Sequence, residues 1–258
     1  MKGRQMPQNK RDQKPQPHFC ISRHRRHRQG EQGNLFFIIF LAVALFGALM
    51  FTFSRGARQG GDDLSQRQLS LAASDILNFS QQVERGLNRI YRRGFSENEI
   101  SFQNSFVSAY ENTNCTAGNR CRVFEPEGGA IVYKRPAAEW SQSATDWLFS
   151  GSNTVVGIGV PGAPVCAADN CVELTMMLTD IPRALCQALN KQLLGAGDDA
   201  DPLTDAAVDT TTLFTGSFSF NANSDIGDET PALAGNDAAC FEETSTSQYH
   251  FYNVLLAR

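Results

Sequence analysis

The side chains beyond residue 54 that could do chemistry are few, and their spacing does not assemble a familiar reaction centre. His250 is the single histidine beyond residue 27, so a Ser–His or Cys–His nucleophilic pair has one available base. Its setting, Tyr249-His250-Phe251-Tyr252, is that of a packed or exposed sheet residue. Asp198, Asp199, Asp201, Asp205 and Asp209 lie in the acidic stretch 195–210 and offer hard oxygen ligands, of which calcium takes six to eight. EF-hand spacing and a closing bidentate Glu are missing, so the expectation is a solvated loop, with calcium at Asp198, Asp199, Asp201 and Asp205 as the alternative. No His-Glu-x-x-His, Gly-x-Ser-x-Gly or Walker loop occurs, and Gly157-Ile158-Gly159-Val160-Pro161-Gly162 carries a proline where a phosphate cradle needs a helix start. The chain is therefore expected to be non-enzymatic and to need no cofactor.

Cysteines are the other reactive class. Cys20 stands alone near the start, whereas Cys115, Cys121, Cys166, Cys171, Cys186 and Cys240 form an even set later. An even set fits disulfides in an oxidising compartment. The short spacings 115/121 and 166/171 favour two local loops, leaving Cys186 and Cys240 for a long one, although six cysteines allow fifteen pairings. Zinc is the rival, but neither pair has the two-residue gap of a zinc knuckle, and His250 is the one histidine on that side.

The elements that must position these groups start with Leu35–Phe53, which is apolar apart from Thr52 and lies in a stretch, Gln32–Ser54, without a charge. Nineteen residues make a helix of roughly 28 Å, close to a bilayer's hydrocarbon thickness, so residues 35–54 are expected to be a transmembrane helix and the lipid bilayer a partner. Ala44, Gly47 and Ala48 give it a small-residue face for close helix approach. Residues 1–34 carry nine Lys/Arg against two acidic residues, and residues 35–258 carry 14 against 25. That asymmetry places a disordered basic leader, 1–34, in the cytoplasm and the remainder in the periplasm or outside the cell, in a single-pass inner-membrane protein. The basic run lacks interleaved aromatics, which argues against nucleic acid as a partner.

Residues 55–93 read as a hinge at Gly56, Gly60 and Gly61 followed by an amphipathic helix whose stripe is Leu69, Ala72, Ile76, Phe79, Val83, Leu87 and Ile90. Residues 94–258 form one globular unit. Ser96-x-x-Glu99 resembles a capping box. Arg122–Phe124 and Ala130–Tyr133 around Glu125–Gly129 predict a hairpin, and Thr154–Val160, Cys171–Leu178, Thr211–Phe220 and Gln248–Ala257 predict strands. Asp180 and Pro182 open a helix with the stripe Leu185, Leu189 and Leu193. Trp140 and Trp147 are expected in the core. The fold class expected is α+β, with the helices bracketing a mainly antiparallel, disulfide-linked sheet.

A basic leader, a glycine before a long apolar helix, an amphipathic continuation and a cysteine-linked sheet region together resemble the bacterial type IV pilin-like proteins, which include the pseudopilins of type II secretion. The phrases carrying the resemblance are Gln32-Gly33-Asn34-Leu35-Phe36-Phe37-Ile38, Glu99–Phe102, Cys121–Phe124 with Gly129, Asp180-Ile181-Pro182 with Cys186 and Asn190, and Phe251–Arg258; they are similar to an uncharacterised alphaproteobacterial branch. The resemblance implies a pilin-like fold and leader cleavage between Gly33 and Asn34 by a prepilin peptidase. It also implies a role as a filament subunit in contact with other pilin-like subunits or with secretion and pilus assembly proteins. Asn34 and Ile38 stand where family members carry Phe or Met and Glu, which fits a minor or tip subunit. The alternative is a bitopic membrane protein whose periplasmic domain binds a ligand or protein without polymerising.

Overall fold

The computed structural model describes residues 34–159, 169–197, 200–221 and 224–258, and the backbone alone at 34–35 and 47–64. Helix α1 spans Asn34–Tyr91 and runs through Gly56, Gly60 and Gly61, where a hinge was expected. Glycine costs a helix about 1 kcal/mol per residue, which weakens it without forcing a break. The chain divides into two compact units, residues 1–57 and 58–258.

In the first unit the described side chains of α1 are Phe36–Phe46. Among the described residues no helix is long and apolar enough to cross a membrane. This overturns the expected transmembrane helix at 35–54 and the single-pass inner-membrane placement with a periplasmic domain. The side chains of residues 47–54, and residues 1–33 of the expected 1–34 leader, lie outside the described residues, while Asn34 is the first residue of α1.

The second unit is built on a mixed six-stranded sheet. Its strands are β1 (Leu148–Val155), β2 (Glu173–Ile181), β3 (Leu203–Asp205), β4 (Asp225–Ile226), β5 (Ala238–Glu243) and β6 (Gln248–Leu256), in the spatial order β3-β5-β6-β2-β1-β4. The central pairs β1–β2, β2–β6 and β5–β6 are antiparallel. The outer pairs β3–β5 and β1–β4 are parallel. Parallel edges, and the lack of a membrane-capable helix among the described residues, separate this architecture from the expected pilin-like one.

One face of the sheet is covered by residues 69–90 of α1 and by helix α2 (Arg183–Leu194). Ile76, Phe79, Val83, Leu87 and Ile90 are buried against Leu174, Met176, Leu178, Phe251 and Leu255. This is the 3.6-residue stripe meeting the period-2 alternation of β2 and β6. Aromatic rings fill the layer: Phe102 stacks on Phe149 at 4.2 Å, and Phe79 lies 5.2 Å from Trp147. The Tyr110 hydroxyl sits among them, donating to the Trp147 carbonyl (2.8 Å) and accepting from the Phe149 amide (3.0 Å). Burial raises its pKa far above the usual range, so it stays a neutral hydroxyl. The opposite face buries Met177, Ile226, Leu233, Phe241, Tyr252 and Val254, so β2 has both faces covered.

The expected hairpin and two further expected strands differ. Arg122–Tyr133 is a compact turn carrying only the isolated bridge Ser101–Arg122. Gly128 and Gly129 press on the Arg122 and Val123 carbonyls so closely that a Cβ would lie 1.9 and 2.4 Å from them. Thr211–Phe220 is irregular, and β1 lies upstream of its expected position. α2 ends as expected, at Gly195 in the left-handed region (φ 69°), but its N-cap is Pro182, whereas Asp180, the expected cap, lies within β2.

Candidate functional site

Carboxylates gather where the parallel edges bring distant segments together. β4 lies beside β1 with Thr154 opposite Asp225, and the Thr154 hydroxyl donates to the Asp225 carboxylate. Asp225 is buried, and burial followed by repulsion from Asp228 and Glu229 pushes its pKa up to about 6. Across β1, Glu173 accepts the Val155 amide at 2.9 Å and is 1% exposed. Burial pushes it up to about 7, against the opposing pull of that amide and of Arg258. At the end of β3, Asp205 accepts from the amides of Gly227 (2.6 Å) and Ala206 (2.8 Å).

Ligand atoms of Asp205, Asp228 and Glu229 all lie within 4.8 Å of one another. Burial raises the pKa of Asp205, and burial with the neighbouring Glu229 raises that of Asp228. Such a corner can share protons or present concentrated negative charge to a cation; three carboxylates supply half of a calcium shell. Of the acidic residues singled out in 195–210, Asp205 alone joins it. Asp198 and Asp199 lie outside the described residues, and Asp201 is exposed and paired with Arg183. Asp228 and Glu229, more than twenty positions away from Asp205, carried no sequence signal.

Asp209 acts as a local clamp. Its carboxylate accepts from Ser152 Oγ (2.9 Å) and from the amides of Thr211 (2.9 Å) and Thr212 (3.0 Å), and its peptide is gripped by Asn153. Burial alone would raise its pKa, but these donors outweigh it and hold the group at about 2.

His250 is 1% exposed, with Nε2 3.3 Å from Glu243. Burial lowers its pKa, against the pull of Glu243, so it packs as a neutral strand residue. Trp147 is buried and Trp140 half-buried. Disulfides join Cys115 to Cys121 and Cys186 to Cys240. Cys171 is also disulfide-bonded, while Cys166 lies outside the described residues. The Asn190 side chain locks the long-range bridge by donating to the Cys240 carbonyl (2.7 Å) and accepting its amide (2.8 Å).

In the first unit, α1 begins at Asn34; Gly33, the other half of the expected cut, is outside the described residues, as are the side chains of Gly47 and Ala48. Ala44 is exposed. So are nine large apolar side chains from Phe36 to Phe46, from 50% for Ile39 to 76% for Phe40. At 100° per residue, consecutive positions place them on every side of the helix. The chain matches no family model, no curated protein and no solved structure.

Proposed function

We propose that this chain is a non-catalytic structural subunit that associates with copies of itself through the α1 segment Phe36–Phe46, carrying the disulfide-bonded unit 58–258 as its folded body. The exposure of Phe36–Phe46 on all sides supports this most directly. A helix apolar all round is stable when it is covered, and each large apolar side chain contributes about 1.5–3 kcal/mol when fully buried. Packing with the same segment of other copies supplies that cover. A structural role is also supported by the placement of the groups best suited to chemistry, since His250 is enclosed with Glu243 and the described disulfide cysteines hold the fold.

Sedimentation equilibrium of the full chain in 0.5 M salt tests the proposal. Wild type is expected to be multimeric, and a Phe36→Glu/Phe40→Glu variant to shift towards monomer with unchanged near-UV circular dichroism from the second unit. A wild type that is monomeric at all concentrations would favour the non-polymerising binding module instead.

A further inference from the structure

On the outer side of α1, Arg85, Asn88, Arg89, Arg92 and Arg93 line a cleft of about 560 Å³. Arg85, Arg89 and Arg93 follow at steps of four, a spacing that sets like charges beside one another and destabilises a helix on its own. Arg93 donates to the Glu127 and Gly128 carbonyls. Among the described residues Arg85, Arg89 and Arg92 form no ion pair. The cleft stands out within residues 58–258, which carry 13 Lys/Arg against 25 Asp/Glu.

The opposite charge is concentrated at Asp205, Asp228 and Glu229, which likewise form no ion pair among the described residues. Asp228 and Glu229 are exposed. The two clusters lie on opposite sides of the sheet: α1 packs on the face holding Leu174, Met176 and Leu178, while Ile226 and Leu233, which flank the acidic corner, belong to the other face. They therefore have no route to each other within one unit.

We infer that the arginine cleft of one copy receives the Asp228–Glu229 corner of the next, in a head-to-tail contact between second units. This rests on the self-associating reading above and names its polar contact. Two different patches on opposite faces make the contact heterologous, and a heterologous contact propagates into an open array unless its rotation closes a ring. Steering opposite charges together also overcomes the repulsion that two net-acidic bodies would otherwise feel.

The test is a charge-swap series on the full chain, with association constants from sedimentation equilibrium in 0.05 and 0.5 M NaCl and thermal melts to check folding. At low salt, Arg89→Glu/Arg92→Glu and Asp228→Lys/Glu229→Lys are each expected to weaken association roughly 10- to 100-fold, as a few exposed pairs would. The fourfold variant is expected to recover most of the loss, and high salt to weaken wild type by a similar factor because screening shortens the reach of exposed charge. If both double variants and high salt leave association unchanged while Phe36→Glu/Phe40→Glu abolishes it, the inference falls and the apolar reading stands. If wild type never associates, both fall. Weakening in both double variants without recovery in the fourfold variant also overturns the inference, because the two patches then do not face each other.

Discussion

Glu173 shows how one side chain shapes the chain's response to pH. Its carboxyl is sealed between β1 and β2 with the Val155 amide as its donor, and its pKa is raised to about 7 from 4.5. The folded chain therefore keeps a proton that the unfolded chain has released, so this group's stabilisation is complete below about pH 4.5 and is lost as pH rises to 7. Two and a half units correspond to roughly 3 kcal/mol at most. Glu173→Gln keeps an acceptor for the amide and removes the charge. Urea unfolding is expected to show the variant more stable than wild type by up to that amount at pH 7.5, with the difference vanishing near pH 4.5. Buried neutral His250 contributes the opposite slope below its ordinary 6.5, but equally in both proteins, so the difference isolates Glu173. Parallel pH profiles would refute the assignment.

Among the elements, those with an unbroken period are legible in the sequence. The α1 stripe, the α2 stripe and the aromatic run of β6 each repeat long enough for one face to be read. β1 was displaced because Ser150, Gly151, Ser152 and Asn153 look like a loop; they are buried because Asp209 and neighbouring hydroxyls satisfy them, a tertiary fact with no local trace. The 122–133 hairpin failed for the opposite reason, since Gly128 and Gly129 serve close backbone approach in place of strand pairing. The acidic corner was half visible: Asp205 stood in an acidic stretch, but the parallel edge pairings choose its partners. The cysteine spacings favoured both bridges described. Opening the long one by Cys186→Ser/Cys240→Ser is expected to cost about 4 kcal/mol for its 54-residue separation, against about 2 kcal/mol for Cys115→Ser/Cys121→Ser with a separation of 6. Guanidinium unfolding checks the order, and an equal cost would show that loop closure is not what these bridges supply.

At the scale of the whole molecule, β2 and β6 form the interior of the sheet, paired on both edges and covered on one face by the helices and on the other by a second apolar layer. Native-state hydrogen exchange is expected to find the slowest amides at Leu174–Leu178 and Phe251–Val254, opening only with global unfolding. The short edge strands β3 and β4 should exchange faster by local opening. Equal protection at centre and edge would contradict that hierarchy.

The order of the strands in space has a further cost in time. Met176 pairs with Asn253, so β2 and β6 meet across 77 positions of intervening chain. At ribosomal speeds of about 5–20 residues per second, β2 spends roughly 4–15 s with one edge bare and its apolar side chains exposed before its partner exists. During synthesis this protein's hazard is therefore capture of β2 by a neighbouring chain's strand, and its yield in a cell depends on how densely ribosomes are making it.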